Sequence, residues 1–419
     1  MSPKYICFLL ISVAGLSTGY SQESKISLRE KLTSYYNTPN DFKNQSPGGV
    51  DFNFGNGLQF TSKDSTSRLK VELRFQSLFM ASKFLQTDDK VSTNFLVRRA
   101  RLKFGGFAFT PNLQYKVELG LSNRDISPSS DFDEVKKAPK LILDAVVKWK
   151  FHKNFTLWMG QTKLPGNRER VISSQKLQFV DRSQLNSKFN LDRDMSLQLH
   201  SSFNLQDALF RIIAAFSTGE GRNITQGNIG GFGYTGRVEF LPGGKFSSKG
   251  DYFGADLARE KKPKLSLAFS YDFNHQASRV GGRLGNFITD DNGDYLNSDL
   301  TTMIGDLMFK YQGFSMMAEF ARKKSSERAL GFASGTAVVG QMGYIINAHN
   351  FKNFELAFRY TKVNPDSGSS LSEIAEYTVG VSKYFLKHSL KLQSDISLQE
   401  TSGSNHLNLI YRIQSEFAF

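Results

Sequence analysis

Apolar and polar residues alternate along most of this chain. In the last segment Leu409, Tyr411 and Ile413 share one phase, and Arg412 and Gln414 occupy the other. A period of two places successive side chains on opposite faces of a β-strand, so one face meets an apolar medium and the other a polar one. A half-buried strand of a soluble β-sandwich alternates in the same way. The number of times the pattern repeats along the chain therefore has to distinguish a membrane-facing strand from a strand of a soluble β-sandwich.

Segments of this kind follow one another from residue 68 to the C-terminus. Most are at least as long as the roughly 9–11 residues that cross a bilayer as a tilted strand, and even strand numbers are usual in bacterial barrels. The pattern predicts an all-β fold, a transmembrane antiparallel β-barrel of about 16 strands over residues 68–419. The predicted strands cover residues 68–81, 93–107, 112–124, 140–150, 154–162, 193–202, 207–217, 230–241, 263–273, 301–311, 313–322, 336–347, 352–362, 374–385, 387–399 and 406–419.

The predicted connections alternate in length. Odd-numbered connections are mostly long and polar, as over residues 125–139 and 274–300, whereas even-numbered ones are tight, as at Gln312 and Gly313. Long extracellular loops and short periplasmic turns are the pattern of outer-membrane barrels. The eighth connection, residues 242–262, breaks this rule because it is long and rich in glycine, and the sequence alone gives no physical account of it.

Residues 1–21 have the features of a secretory signal peptide. A lysine precedes an apolar run over residues 5–16, which is shorter than the roughly 20 residues of a membrane-spanning helix. The only cysteine, Cys7, lies in this run, so the exported chain is expected to have no thiol. We expect residues 22–67 to form a periplasmic extension, in which residues 57–61 make a short hairpin with the first long strand.

The amino-acid composition agrees with a barrel and limits the kinds of molecule that it is expected to bind. The chain of 419 residues contains 37 Phe and 15 Tyr, and aromatic residues suit the lipid-facing stripe and the interfacial girdles of such barrels. The net charge of +14 suits outer-membrane lipid, lipopolysaccharide or an anionic solute, and export argues against nucleic acid. The expected location is the outer membrane of a Gram-negative cell.

The third long connection, residues 163–192, is the main candidate for a functional site. A loop longer than about 12–15 residues without its own secondary structure is usually functional or disordered. Because Ile172, Leu177 and Phe179 interleave with its charges, we expect this loop to fold against the inner wall and constrict the pore. A surface loop that contacts lipopolysaccharide phosphates is the alternative. Its basic residues are Lys163, Arg168, Arg170, Lys176, Arg182 and Lys188.

The barrel wall contributes a second set of cations. Arg99, Arg101 and Lys103 share one phase of the second strand and are expected to form a ladder that faces the lumen. Arg98 is out of phase and should extend along the lipid face towards the interface. Fixed cations favour anions in a channel because its protein walls screen less than bulk water. Most other inward charges are expected to pair with one another.

Three short stretches resemble a known family. Residues 97–102 (VRRARL), 160–165 (GQTKLP) and 249–252 (KGDY) look like the phosphate-selective porin O and P family of Bacteroidetes-type outer membranes. The resemblance covers nearly the whole exported chain and agrees with the predicted signal peptide and the terminal aromatic residue.

The resemblance implies a trimeric channel of 16 strands with an inward-folded third loop and a preference for phosphate or polyphosphate. By the same resemblance Arg99, Arg101 and Lys163, and more loosely the other basic loop residues, are expected to bind the anion. The partners expected are therefore small anions and two further copies of the chain. The terminal Phe419 is expected to engage the barrel-assembly machinery.

No constellation in the sequence indicates an enzyme, a metal site or a cofactor. The six histidines accompany no Gly-x-Ser-x-Gly elbow, paired His motif or cysteine cluster. Residues 290–294 resemble part of a calcium loop but lack its distal glutamate. We therefore hypothesise a porin for passive diffusion of small solutes that prefers anions. A general non-selective porin and a barrel-anchored surface scaffold or adhesin are the alternatives, and conductance distinguishes them.

Overall fold

The computed structural model of the chain confirms the predicted fold class. It describes residues 49–53, 55–86, 90–126, 141–224, 229–327, 331–348, 351–403 and 407–419. The predicted signal peptide, with Cys7, and the first part of the predicted extension, residues 22–48, lie outside these ranges. No helix in the described part of the chain is long and apolar enough to cross a membrane.

Sixteen long strands, β3 to β18, form a closed antiparallel barrel. Each pairs with the next along the chain, and each overlaps one of the predicted segments. The strands are β1 (Val50–Asn53), β2 (Gly57–Thr61), β3 (Arg68–Phe84), β4 (Ser92–Ala108), β5 (Thr110–Gly120), β6 (Ile142–His152), β7 (Phe155–Lys163), β8 (Arg193–Leu205), β9 (Ala208–Ser217), β10 (Gly233–Leu241), β11 (Lys264–Ala277), β12 (Ser298–Tyr311), β13 (Phe314–Ser325), β14 (Gly335–Ala348), β15 (Phe351–Pro365), β16 (Ile374–Leu386), β17 (Leu390–Thr401) and β18 (Leu407–Ala418).

Strand β14 shows how the period of two becomes an inside and an outside. Val339 and Gln341 point into the barrel and are 2% and 5% exposed. Val338, Met342 and Tyr344 belong to the other phase, point outward and are 39%, 45% and 49% exposed. Apolar side chains on the outside suit a lipid environment. In a soluble protein the apolar phase of such a strand would face the core instead.

The barrel closes where its last strand pairs with its first long strand. Strand β18 pairs with β3 over eleven residues, from Asn408 to Ala418. On the outside the rings of Phe75 and Phe417 stack with centroids 5.1 Å apart, and on the inside Arg74 Nε lies 2.8 Å from Glu416 Oε1. Closure leaves no long edge strand with unpaired backbone groups, which a bilayer would penalise.

A short hairpin precedes the barrel. Strand β2 pairs with the start of β3, with Leu58 opposite Val71, and β1 pairs with β2. The ring of Phe52 in β1 lies 6.5 Å from that of Phe419, next to the closing seam. The sequence did not indicate β1, because four residues are too few to establish a period.

Two connections do not remain at the ends of the barrel. We call residues 163–192 the inner loop and residues 242–263 the turn-side segment, because the latter leaves the end where the short turns lie. Ser183 begins the last inner-loop helix as its N-cap, since its side chain accepts a hydrogen bond from Asn186 N. The short helices are Arg168–Val171, Ser174–Lys176 and Gln184–Phe189 in the inner loop and Ser247–Tyr252 in the turn-side segment.

Candidate functional site

The inner loop crosses the inside of the barrel. Asn167 Nδ2 donates to Glu319 Oε2 of β13 at 2.9 Å, and the main-chain N–H of Val180 donates to Asp395 Oδ2 of β17 at 3.0 Å. Glu319 and Asp395 belong to the polar phase of their strands, which faces the lumen. The loop is therefore held against the inner wall at both its start and its middle.

Apolar side chains complete the attachment of the inner loop. Leu185 and Phe189 have no exposed surface and pack against Ile304, Ala321 and Val339 of the wall. Burying a side chain of this size contributes about 1.5–3 kcal/mol, which offsets part of the entropy lost when the loop becomes ordered. These contacts explain why a basic loop carries so many apolar residues.

A group of charged side chains, of which only Arg211 is partly exposed, lies buried where the inner loop meets the wall and the turn-side segment. Arg168 Nε lies 3.0 Å from Asp306 Oδ1, and its Nη2 lies 3.4 Å from Glu239 Oε1. Arg237 contacts the same two carboxylates at 2.6 and 2.8 Å. Each charge has opposite charges within reach, which makes burial tolerable. We call this group the buried charge cluster; its members are Arg168, Arg211, Arg237, Glu239, Asp251 and Asp306.

The turn-side segment enters the barrel from the opposite end and meets the inner loop. The main-chain N–H of Gly254 donates to the carbonyl of Lys176 at 2.8 Å. Phe246 is 3% exposed and packs with Ile172 and Leu177 of the inner loop. The two inserted segments thus form one structure that fills part of the lumen.

Exposure of the inward charges shows where the lumen stays open. The Lys70 and Lys116 side chains, on β3 and β5, are 31% and 35% exposed. Arg359 and Lys391, on β15 and β17, are each 1% exposed because the inner loop covers them. Water therefore reaches the inner faces of β3 and β5 at these positions, and we call this less filled side of the lumen the open side.

Arg98 faces the lumen, and the expectation that it extends along the lipid face is wrong. Its Nη2 lies 2.9 Å from Asp181 Oδ1 of the inner loop. Gln76 pairs with Arg99 but the next residue of β3 pairs with Val97, so Arg98 is the extra residue of a β-bulge that resets the phase. Burial alone would raise the pKa of Asp181, but attraction by Arg99 and Arg98 holds the pKa below its usual value.

The predicted ladder on β4 lines the lumen, but its members differ in their partners. Arg99 Nη2 lies 3.0 Å from Asp181 Oδ1, and Arg101 is paired with Asp125 and lies 3.9 Å from Glu118. Lys103 makes no ion pair or hydrogen bond with any described residue. Of the three, only Lys103 therefore has an ammonium group without a direct partner among the described residues, although Glu72 and Glu118 lie opposite it on the neighbouring strands.

Three of the predicted loop cations bind the inner loop itself. Lys163 Nζ donates to the carbonyl of Arg170 at 2.7 Å, and Arg182 Nη2 donates to that of Ile172 at 2.7 Å. Arg170 also forms an ion pair with Asp192. These contacts fix the loop conformation, and the side chains of Arg170 and Arg182 stay partly exposed.

Lys176 and Lys188 keep their ammonium groups unpaired within the described part of the chain. Both are partly exposed, and Lys176 Nζ lies 3.9 Å from the ring centroid of Phe253. Burial and the nearby charge of Lys103 lower the pKa of Lys176 to about 8. Lys103 and Lys176 therefore place two interacting cations, one from the wall and one from the inner loop, in the same part of the lumen.

Arg168 is not exposed in the lumen, in contrast to the expectation from the sequence. Its side chain has no exposed surface, and Asp306 and Glu239 neutralise it. The sequence places these partners more than 70 residues away, so only the fold reveals the pairing. Arg168 is a structural residue of the inner loop.

The amino-acid sequence alone indicated no role for the turn-side segment. Its Lys249 is exposed and has no ion pair or hydrogen bond among the described residues. The stretch of residues 249–252 that resembles the known family was the only signal that pointed to it. The structure brings this segment to the inner loop through Gly254 and Lys176.

A family model agrees with this architecture. The model described as phosphate-selective porin O and P matches residues 69–415. No curated protein matches the chain.

Solved porin structures share the fold at low sequence identity. OprB of Pseudomonas putida is 10% identical with a TM-score of 0.54, over 84% of this chain and 94% of that chain. An anion-selective porin from Comamonas acidovorans is 10% identical with a TM-score of 0.52, over 84% and 100%. The trimer form of OmpT from Vibrio cholerae is 11% identical with a TM-score of 0.50, over 84% and 99%. At such identities the similarity shows the fold alone.

Replacing Arg168 tests the attachment of the inner loop. We expect Arg168→Met to leave the buried charge cluster with three carboxylates and two arginines, because Arg237 and Arg211 remain. One buried negative charge is then uncompensated, which costs about 3–5 kcal/mol for a buried pair. The inner loop should then detach, lowering the unfolding temperature of the barrel and raising single-channel conductance. The double variant Arg168→Met with Asp306→Asn should recover part of the loss. Wild-type conductance and unfolding temperature in Arg168→Met would contradict the assignment.

The lowered pKa of Lys176 predicts a pH dependence. Lys176 is charged below its pKa of about 8 and neutral above it, so anion preference should fall as the pH rises from 7 to 9. Zero-current potentials in a KCl gradient measure this preference. In Lys176→Gln the change should be much smaller, whereas Lys188→Gln should retain it. An identical pH dependence in Lys176→Gln would rule out this lysine as the group responsible.

Proposed function

This chain belongs to the phosphate-selective porin O and P family, and we propose that its passage prefers anions, with phosphate and polyphosphate as the solute class. The family and fold make it an outer-membrane porin, a channel rather than an enzyme. Its short-turn end then faces the periplasm. Diffusion is passive, through a fixed passage on the open side.

The unpaired cations Lys103 and Lys176 are the observation that carries this proposal. The acidic residues nearest Lys103 are committed elsewhere, since Glu72 lies 3.1 Å from Lys70 and Glu118 lies 2.9 Å from Lys116. No described carboxylate lies within ion-pair distance of Lys103 or Lys176. The local balance of charge in the open passage is therefore positive, although most charges of the lumen cancel in pairs.

The expected strength of such sites suits a channel. A unit charge attracts a monovalent anion at 4 Å by about 1 kcal/mol in bulk water and about 4 kcal/mol at an effective dielectric constant near 20. A water-filled passage lies between these limits. An attraction of this size favours anions over cations and still permits release, which conduction requires.

The remaining predicted residues support the passage in other ways. Arg99, Arg101, Lys163, Arg170 and Arg182 hold the inner loop or the adjacent wall through bonds to carboxylates and main-chain carbonyls. They add positive electrostatic potential to the lumen, but their carboxylate and carbonyl partners offset part of it. A homotrimer is the expected assembly, because a porin of the same fold is known in a trimer form.

Removing both unpaired cations tests the proposal. We expect wild-type protein in planar bilayers to be anion-selective in a KCl gradient, with a chloride current that phosphate reduces. Lys103→Gln combined with Lys176→Gln should lower the permeability ratio of anion over cation by about tenfold, or ~1.4 kcal/mol. The matched control Lys90→Gln removes an exposed charge from an outer loop and should leave the ratio unchanged.

The same recordings distinguish the alternatives. An open but unselective wild-type channel would indicate a general porin and contradict anion preference. Absence of conductance from folded protein would indicate a barrel-anchored surface scaffold. An unchanged ratio in the double variant would show that Lys103 and Lys176 do not determine selectivity.

A further inference from the structure

The two tryptophans of this chain lie on opposite faces of the barrel wall. Trp149 of β6 points outward, is 53% exposed, and its ring centroid lies 5.5 Å from that of Phe151. Trp158 of β7 belongs to the inward phase, because it pairs with Gln198 of β8, which is 1% exposed, while its neighbour Met159 is 57% exposed on the outside. One tryptophan therefore faces lipid and the other faces the lumen.

Two side chains hold the indole ring of Trp158 between them. Lys148 Nζ of β6 lies 3.6 Å from the ring centroid, and the ring of His200 of β8 stacks on it with centroids 4.1 Å apart and planes at 21°. An ammonium group and an imidazole this close to one ring cannot share a face, so they cover opposite faces. Because these two residues belong to the strands on either side of β7, the ring stands away from the wall with its edge towards the lumen.

His200 is held in place by a chain of hydrogen bonds. Gln198 Nε2 donates to the main-chain carbonyl of Lys163 at 3.1 Å, and Gln198 Oε1 lies 3.1 Å from His200 Nε2. An amide oxygen only accepts, so His200 Nε2 is the donor. Lys163 is the first residue of the inner loop. The stacked pair of His200 and Trp158 is therefore connected to the start of the inner loop.

Trp158 lies at the boundary between the open side and the filled side of the lumen. The strand register places four inward residues in one row across β5 to β8, namely Gln114, Lys148, Trp158 and Gln198. Gln114 is exposed, and Lys148 and Trp158 are partly exposed. Gln198 is 1% exposed beside the start of the inner loop. The part of this row that water reaches therefore ends at Trp158.

The edge of the indole ring carries one polar group and no charge. Trp158 Nε1 donates to no described residue and is not buried, so its N–H contacts the water of the lumen. An uncharged edge attracts neither anions nor cations strongly. Its effect on a solute is therefore mainly steric.

We propose that Trp158 limits the size of the solutes that pass along the open side. A ring that is held on both faces cannot be pushed aside easily, so it excludes solutes by their radius. The position lies on β7 between its short turn and the inner loop, where the open part of the lumen ends against the wall. This inference rests on the proposed passage of solutes along the open side, but it does not depend on the anion preference because Trp158 carries no charge.

Exclusion of uncharged polymers tests this size limit. We expect Trp158→Ala to raise single-channel conductance in planar bilayers by about 1.5-fold and to admit larger poly(ethylene glycol) molecules, which reduce the conductance when they enter the lumen. Trp158→Phe keeps a smaller ring between Lys148 and His200 and should give an intermediate limit. The matched control Trp149→Ala removes the same side chain from the lipid-facing phase. It should leave the conductance and the size limit unchanged.

Tryptophan fluorescence gives a readout that does not require conduction. Because the chain has two tryptophans, Trp149→Phe leaves Trp158 as the only one. In lipid vesicles its fluorescence should be quenched by acrylamide in the water and not by brominated lipid. In Trp158→Phe the remaining Trp149 should show the reverse.

Three results would overturn the inference: an unchanged size limit in Trp158→Ala, an equal change in Trp149→Ala, or quenching of Trp158 by brominated lipid. If Trp158→Ala does not fold, a wild-type size limit in Trp158→Phe would overturn it as well. A wild-type channel without anion selectivity would contradict the proposed anion preference and leave the size limit intact. Absence of conductance from folded wild-type protein would overturn both.

Discussion

The buried charge cluster is the interaction on which the arrangement inside this barrel depends. Arg168 of the inner loop contacts Glu239 and Asp306 of the wall. Asp251 of the turn-side segment pairs with Arg211 of the wall, which also contacts Glu239. A buried ion pair often adds little net stability compared with an apolar pair, but an unpaired buried charge is very costly. The cluster therefore acts mainly through specificity, because any other position of the two segments would leave charges without partners.

Fixing both segments against one side of the wall leaves inward side chains such as Lys70 and Lys116 partly exposed on the other side. The charges on the filled side, such as Arg237 and Arg359, are 2% and 1% exposed and serve the structure. The charges on the open side, such as Lys103 and Lys116, keep contact with water. Inward arginines and lysines thus have two roles in one lumen, since some hold the structure together and others face water. The burial of the side chain, and not its phase in the strand, determines which role it has.

The sequence predicted the parts of this structure that depend on local periodicity. All sixteen barrel strands follow from a period of two, and the apolar residues of the inner loop indicated that it packs against the wall. Arg98 could not be placed because a single-residue bulge changes the phase, and the bulge depends on how β3 and β4 pair. Arg168 and the turn-side segment could not be interpreted because their partners, such as Asp306 and Lys310, are distant in sequence.

The contact between Asp181 and the two arginines limits how tightly the guanidinium groups of this lumen can hold a solute. Arg98 and Arg99 would offer an oxyanion a charge-assisted site with several donors, which favours tight binding. The inner loop supplies its own carboxylate to that site, at 2.9 and 3.0 Å. A tightly held solute would leave slowly, whereas single ammonium groups such as that of Lys103 attract anions weakly enough for release. Under the proposed function, occupation of the strong site by Asp181 leaves weak lysine sites to determine the anion preference.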